Sequence, residues 1–341
     1  FRRSVSATGE VSWSQVAYVK APAPVSGENF GYSVSLTEDG SRLAVGAPDI
    51  GGATPGKIYV FIGPNYDTAP DDITDPSAVN GDRFGEAVAL SEDGFRLAIG
   101  APGDDVAAAD AGAVYVYEDL GNANMWTLED SFTPSPAGAA MGVSVALNQD
   151  GSVLAAGAWR EDGAAAEEGA VYTFTRNVAI WTAVTKLEAS DGALNDRFGV
   201  SVSLSDDGVR LAVGAPGDFI GAGGFTGAAY VYTGNAVPLT DWIDEVKVNA
   251  SNPEADDAFG IAVALDDSGD KLLVGASRED GSGTGFGSTV DDLAPGAGAA
   301  YLFERTAPPA WTEIEYIKAT NTDAGDQFGT SASMDDSGNR L

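Results

Sequence analysis

The chain has 341 residues, a formal net charge of −33 and a pI near 4.1, so nucleic acid, itself a polyanion, is excluded as a partner. It contains no Cys and no His, which excludes disulfides, zinc or haem sites with those ligands, and hydrolytic triads that need a thiol or an imidazole. No stretch approaches about 18 consecutive apolar residues, so we expect no membrane insertion by this segment.

A self-similar unit recurs six times along the chain. Each unit opens with Phe or Met followed by Gly, and a Leu follows thirteen residues after that opening residue. The openings are Phe30-Gly31, Phe84-Gly85, Met141-Gly142, Phe198-Gly199, Phe259-Gly260 and Phe328-Gly329. Their spacing is similar throughout and widens toward the end of the chain. Such a repeat indicates an array of supersecondary units that bury their faces against one another.

Each unit predicts four strands in a fixed order. In the second unit the first strand is Phe84–Leu90, and Ser91–Gly94 forms a hairpin turn because its final Gly accepts positive φ. The second strand is Leu97–Ala101 and the third is Gly112–Tyr117. A strand led by Trp completes the unit, as in Trp311–Lys318. Because the first two strands are small or apolar on both faces, we predict radially stacked sheets with the first strands innermost and the Trp-led strands outermost.

The unit resembles the FG-GAP repeat of integrin α-subunit propellers and their microbial relatives. Phe-Gly opens the unit, and Gly-Ala-Pro closes the second strand at Gly46–Pro48, Gly100–Pro102 and Gly214–Pro216. Two units depart from this motif, with Gly157-Ala158-Trp159 and Gly275-Ala276-Ser277. The resemblance covers essentially the whole chain and implies an all-β propeller of four-stranded blades.

We predict a single propeller domain over 1–341. It contains a partial blade over 1–29, five full blades over about 30–327, and a partial blade over 328–341. The five complete blades and two partial blades represent seven blades in all, the number that the integrin resemblance implies. If the two partial blades merge into one, the ring has six. The sequence starts at Phe1 without an initiator Met or an apolar leader, so we expect any targeting signal to lie outside it.

The turn between the first and second strands decides the metal prediction. In integrin-like repeats this loop holds Ca²⁺ through Asp-x-Asp/Asn-x-Asp-Gly-x-x-Asp, because alternate residues aim oxygens at one centre. Here the turn is two residues shorter, as in Glu38-Asp39-Gly40, and the last ligand position is basic in five units. Those residues are Arg42, Arg96, Arg210, Lys271 and Arg340.

A guanidinium about 4 Å from a divalent ion would cost roughly 8 kcal/mol at an effective dielectric of about 20. We therefore predict no metal site in these turns and no cofactor. Weak Ca²⁺ binding remains open for the other acidic loops. The basic residues are expected to pair with the carboxylates of their own turns.

A second acidic set lies in the loops after the second strands. By the resemblance, these loops share one rim with the loops before Phe-Gly, the rim that integrins use for ligands. Their lengths vary on a constant framework, and Ser277–Gly298 is the longest. Recognition usually occurs in such loops. The predicted ligand-binding residues are Asp104, Asp105, Asp110, Asp218, Glu279 and Asp280. The alternative is that each loop is a solvated connection.

These patterns favour a non-catalytic adhesion-type module, extracellular or at the cell surface, that binds a protein or glycan. No catalytic residue is predicted, because a chain this acidic places carboxylate pairs at glycosidase spacing by chance. The alternatives are a structural spacer in an acidic, salt-adapted surface protein and a carboxylate-dependent glycan hydrolase. The single glycosylation pattern, Asn249-Ala250-Ser251, is a weak signal.

Overall fold

The computed structural model describes residues 2–5, 11–77, 79–121, 126–133, 136–219, 224–235, 239–288, 291–307, 309–338 and 340–341. These residues form strands, turns and irregular connections, with no helix among them. Accordingly, this part of the chain offers no helix that could cross a membrane. The predicted all-β class is confirmed.

A two-stranded hairpin comes first in the chain, β1 (Arg2–Val5) and β2 (Val11–Ser14). Its register places Arg3 opposite Trp13, the same pairing that joins Arg305 to Trp311 in a complete unit. The hairpin therefore corresponds to the third and fourth strands of the repeat.

Four units each form a four-stranded antiparallel sheet in chain order. The first contains β3 (Val34–Leu36), β4 (Arg42–Ala47), β5 (Lys57–Ile62) and β6 (Asp71–Thr74). The second contains β7 (Ala87–Leu90), β8 (Arg96–Ala101), β9 (Ala113–Asp119) and β10 (Trp126–Phe132). The third contains β11 (Ser144–Leu147), β12 (Val153–Ala158), β13 (Ala170–Asn177) and β14 (Ile180–Leu187). The fourth contains β15 (Ser201–Leu204), β16 (Arg210–Ala215), β17 (Ala228–Gly234) and β18 (Trp242–Val248).

The sheet of the fifth unit contains one additional strand. It contains β19 (Phe259–Leu265), β20 (Lys271–Ala276), β21 (Gly285–Phe286), β22 (Ala299–Ala307) and β23 (Ala310–Lys318). The short β21 comes from the longest loop and pairs with the outer edge of β23. In the sixth unit Phe328 forms a backbone bridge with Gly298, and the described residues after it contain no assigned strand.

The innermost segments of all six units surround one central cavity of about 390 Å³. Its wall includes residues 35, 88–90, 145–147, 202–204, 263–265 and 332–334. From β3 through β7, β11 and β15 to β19, each first strand contacts the next. The predicted radial order is confirmed in the second, third and fourth units, where the Trp-led strand is outermost; in the fifth unit the short β21 lies outside the Trp-led β23. The number of blades stays a prediction.

The Phe-Gly motif ties each blade to the preceding one. Phe84 is fully buried, and its backbone forms a parallel bridge with Gly56 of the first unit. Gly85 adopts a φ of 95°, and a Cβ on it would lie 2.8 Å from the Lys57 carbonyl oxygen. The predicted start of the first strand is therefore wrong in this unit. β7 begins two residues after Gly85, because Phe-Gly forms the bend between blades.

The hydrophobic core lies between neighbouring blades. Phe84 packs against Tyr115 and Tyr117, with ring centroids 5.5 and 6.5 Å apart. Ile58 and Val60 of the first unit complete this cluster. Equivalent clusters join the later pairs of units. The sheets of the second to fifth units therefore bury their faces against their neighbours, as expected for stacked repeats, whereas β2 of the first hairpin is exposed.

Candidate functional site

Two kinds of connection lie at opposite ends of the blades. Asp191, which precedes Phe198, and Asp218, which follows β16, lie 2.8 and 2.6 Å from the Tyr230 hydroxyl. The loops before Phe-Gly and the loops after the second strands thus meet at one end, which we call the loop rim. The other end carries the turns between first and second strands, and we call it the turn rim.

Three of the predicted ligand-binding residues are buried. Asp104, Asp218 and Glu279 are 0, 2 and 3% exposed. Each accepts a hydrogen bond from a tyrosine hydroxyl; the donors are Tyr115, Tyr230 and Tyr316, at 2.6, 2.6 and 2.5 Å. Their carboxylates are therefore engaged within the protein, and ligand contact by these three residues stays a prediction. They are enclosed between elements at the base of the loops, where unpaired polar groups would be costly.

Lysines of the Trp-led strands neutralise the buried acids in the third, fourth and fifth units. Lys318 is buried, and its Nζ lies 2.6 Å from Glu279 Oε2. Lys247 Nζ donates to both carboxylate oxygens of Asp218 at 2.8 Å. In the third unit Lys186 pairs with buried Glu161. Pairing of this kind compensates for the loss of hydration of both charges.

The second unit has a different arrangement around Asp104. Within the described residues no lysine or arginine forms an ion pair with it. Instead Asp75 and Asp82, both buried, approach it, and the three carboxylates place oxygens within 4.8 Å of one another. Burial raises the pKa of Asp82 to about 6. Three carboxylates offer the oxygen ligands that hard cations prefer, so this trio could hold a divalent ion.

The remaining predicted rim residues brace their own loops. Asp105 Oδ1 accepts a hydrogen bond from the Asp110 backbone N–H at 2.7 Å. Asp280 Oδ1 accepts one from the Gly296 N–H, also at 2.7 Å. Asp105 and Asp110 are exposed and Asp280 is half-buried. The six predicted residues therefore do not form one cluster, and ligand contact by these three stays a prediction.

The longest loop, Ser277–Gly298, folds back on its own sheet through β21. Phe286 in that strand is 69% exposed. Asp291 accepts hydrogen bonds from the Ser282 N–H and hydroxyl, at 2.8 and 3.0 Å. The described part of this loop thus has internal contacts that give it a defined shape and present an aromatic side chain.

A pocket between the fourth and fifth units contains arginines that the sequence analysis missed. Its volume is about 370 Å³, and its lining includes Asn195, Arg197, Phe225, Asp256, Ile261, Ser277 and Arg278. The signal was present in the sequence, because Arg278 directly follows Gly-Ala-Ser and Arg160 directly follows Gly-Ala-Trp. Both departures from Gly-Ala-Pro therefore introduce arginine at the loop rim.

The Trp159 ring makes cation–π contacts with two arginines of the loop rim. The guanidinium carbons of Arg160 and Arg197 lie 4.6 and 5.2 Å from its centroid. Such contacts are attractive because the ring face carries negative charge density. Two guanidinium groups from different blades thus lie close together on the loop rim.

The turn rim brings together the second residue of each turn. We call these residues the turn ring: Glu38, Glu92, Gln149, Asp206, Asp267 and Asp336. Backbone hydrogen bonds of 3.0, 3.3 and 3.0 Å connect the second turn to the third, the third to the fourth and the fourth to the fifth. The carboxylates of Glu92, Asp206 and Asp267 approach within 4.8 Å. Burial, with neighbouring carboxylates, raises the pKa of Asp206 to about 7 and of Asp267 to about 6.

The expected pairing of basic residues with their own turns is wrong in the first, second and fourth units. Arg42 Nη2 lies 2.6 Å from Asp119 of the next blade. The turn carboxylates have local partners instead, as Asp93 accepts from the Ser91 hydroxyl at 2.6 Å and from the Phe95 N–H at 3.0 Å. The sixth unit does keep the pair within its turn. The absence of a metal from the turns stays a prediction.

Sheets of four strands, packed face to face around an axis with their first strands innermost, define a β-propeller. The chain belongs to the FG-GAP repeat family, whose repeat it matches over residues 13–61, 71–117, 181–232 and 242–303. These segments make up more than half of the sequence. No curated protein is significantly similar to it.

Two solved structures resemble the chain at low sequence identity. Hydrazine synthase from Kuenenia stuttgartiensis is 12% identical, with a TM-score of 0.51, over 90% of this chain and 71% of that one. The periplasmic gluconolactonase PpgL from Pseudomonas aeruginosa is 12% identical, with a TM-score of 0.45, over 81% of this chain and 68% of that one. At such identity the similarity concerns architecture alone.

Proposed function

We propose that this propeller is a non-catalytic extracellular binding module of adhesion type, whose loop rim takes a protein or glycan partner. The observation that carries the proposal is the difference between the two rims. The loop-rim connection that leaves the second strand runs from Gly46 to Gly56 in the first unit, but from Gly275 to Gly298 in the fifth. On the opposite rim, the turns between first and second strands share one length. A specific partner needs a surface that differs from blade to blade.

The base of the loop rim supports this role because it is rigid. Buried contacts such as Tyr230 with Asp218 and Lys318 with Glu279 fix the loops where they leave the sheets. A binding surface on such a base loses less freedom when it engages a partner. The close carboxylates Asp82 and Asp104 are buried and engaged with protein groups, which favours a structural role over hydrolysis of a glycan.

The proposal is tested by shortening the longest loop. Replacing Ser282–Asp291 with a short Gly-Ser link removes β21 and keeps Glu279 and Lys318. The fold should persist, because shortening a surface loop changes its closure entropy by only about 1 kcal/mol. Binding to a panel of immobilised glycans and extracellular proteins should fall relative to the unaltered chain.

The matched control lies on the turn rim. Val178, in the turn between β13 and β14, is 88% exposed, and Val178→Glu should leave binding to the same panel unchanged. Loss of binding in Val178→Glu with full binding by the shortened loop would assign recognition to the turn rim instead.

A further inference from the structure

We propose that the pocket between the fourth and fifth units binds the carboxylate of an acidic sugar, as in a uronic acid residue of a glycan. The inference rests on the proposed binding role of the loop rim and specifies the chemistry of the ligand. Its main elements are the guanidinium groups of Arg197 and Arg278, beside the apolar side chains of Phe225 and Ile261.

The two guanidinium groups are available to an anion. Arg278 is exposed, and among the described residues no carboxylate lies within ion-pair distance of it. The Nε of Arg197 lies 3.9 Å from Glu167 Oε2, and both side chains are substantially exposed at 49 and 39%. Asp256 is the acidic residue of the lining. The lining residues themselves thus include two arginines and one acid, and Glu167 lies outside the lining beside Arg197.

This composition is informative because acids are abundant in the chain. With 51 acidic and 18 basic residues, the protein has enough carboxylates to neutralise each arginine, as it does for Arg42 and Arg96. Arg278, which has no carboxylate partner among the described residues, therefore marks a place where an external anion would be favourable. Arg197 is also positioned by Trp159, whose ring centroid is 5.2 Å away, so less side-chain freedom is lost on binding.

A single carboxylate matches this site better than a polyanion. The planar guanidinium fork binds a carboxylate through two parallel hydrogen bonds. A densely charged polymer would meet the field of a chain with net charge −33, which salt screens over about 8 Å at physiological ionic strength. One uronate within an otherwise neutral glycan gains the local attraction and largely avoids that repulsion.

The remaining lining suits a sugar ring. The volume of about 370 Å³ is at the small end of ligand pockets, which commonly span about 300–1,000 Å³. Phe225 and Ile261 offer apolar contacts for the C–H face of the ring. The Asn195 amide and the Ser277 hydroxyl add groups that can hydrogen-bond to sugar hydroxyls.

The test compares D-glucuronate and D-galacturonate with D-glucose and D-galactose. Each is titrated into the full chain and followed by calorimetry and tryptophan fluorescence, since Trp159 lies against Arg197. We expect saturable binding of at least one uronate, with the matching neutral sugar at least about tenfold weaker. Arg278→Ala should weaken that binding about tenfold or more, the effect of losing a charged hydrogen-bond donor. Arg340→Ala is the matched control, because Arg340 is 59% exposed on the turn rim.

Several outcomes would overturn the inference. These are equal affinity for uronate and neutral sugar, no saturable binding of either uronate, or equal loss in Arg278→Ala and Arg340→Ala. None of them bears on the proposed function, which is judged by the shortened loop against the glycan and protein panel. If shortening the loop abolishes binding to that panel while uronates do not bind, the loop rim is a binding surface with a different ligand chemistry.

Discussion

Replacing Lys318 with Met tests whether the loop rim is anchored by buried charge pairs. The Lys318 side chain is 0% exposed and that of Glu279 is 4% exposed, with Nζ and Oε2 2.6 Å apart. Methionine preserves most of the apolar stem and removes the ammonium. The substitution therefore leaves a buried carboxylate without its counter-charge while changing the packing little.

The expected loss follows from that geometry. Breaking a buried ion pair by removing one partner costs about 3–5 kcal/mol. Glu279 keeps hydrogen bonds from the Tyr316 hydroxyl at 2.5 Å and the Gly281 N–H at 3.0 Å, which places the loss near the lower limit, about 3 kcal/mol. The double variant Lys318→Met/Glu279→Gln removes both charges and should recover much of this loss.

Urea unfolding at neutral pH, followed by circular dichroism, measures the change. Arg340→Met is the matched control, because Arg340 is 59% exposed and its pair with Asp335 should contribute less than about 1 kcal/mol. A loss below about 1 kcal/mol for Lys318→Met, or a double variant no more stable than the single one, would refute the reasoning.

Four further predictions follow from charge and packing. Burial raises the pKa of Asp196 and Asp257 from 3.8 to about 7, so the folded chain binds these protons more tightly than the unfolded chain. The urea midpoint should therefore fall as pH rises from about 5.5 to 8, and a rising midpoint would contradict this. With a net charge of −33, the melting temperature should climb as NaCl rises from about 10 to 150 mM; a flat curve would indicate charges already compensated. Calorimetric titration with Ca²⁺ should reveal no turn site tighter than about 10⁻⁵ M, and a tight site removed by Asp93→Ala would be the contrary result. Gly214→Ala should cost about 3 kcal/mol or more in urea unfolding, because its Cβ would lie 1.9 Å from the Gly260 carbonyl oxygen. Gly51→Ala, whose nearest neighbour is 3.4 Å away, should cost less than about 1 kcal/mol, and equal losses would contradict the steric argument.

The blade architecture could be predicted because the same sequence pattern recurs in each unit. The second strand predicted as Leu97–Ala101 is observed as Arg96–Ala101, and the Trp-led strand Trp311–Lys318 begins one residue earlier, at Ala310. The first strand was harder to delimit. Phe84 and Gly85 look like strand residues in an apolar pattern, but their role is a bend between blades, which depends on contact with the preceding unit.

The roles of the rim acids could not be predicted, because their partners come from distant segments. Glu279 is neutralised by Lys318 at the far end of the same blade's sequence, and Asp104 meets Asp75 from the preceding unit. The pairing of these acids with tyrosines, however, could have been predicted from the sequence. A tyrosine follows the buried acid at the same spacing in both the second and third units, at Tyr115 and Tyr172. That repeated spacing indicates a structural pair rather than a ligand contact.

The turn ring was visible in the sequence only as a recurring acidic position. Glu92 and Asp267 belong to the second and fifth units, and nothing local indicates that their carboxylates approach. Convergence follows from stacking the blades around one axis, which brings equivalent turns to the same radius. The arginine pocket could not be predicted for the same reason, because Arg197 and Arg278 belong to different blades and meet only when the blades stack.

The separation of the two rims makes this protein a natural display platform. Gly46 faces Ile58 across a short connection, and Gly275 faces Ala300 across a much longer one, in the same register. The register of the second and third strands is therefore the same whatever the length of the connection between them. Foreign peptides grafted between Ser282 and Asp291 should be tolerated, so lineages or engineers can exchange specificity by replacing single loops without redesigning a blade.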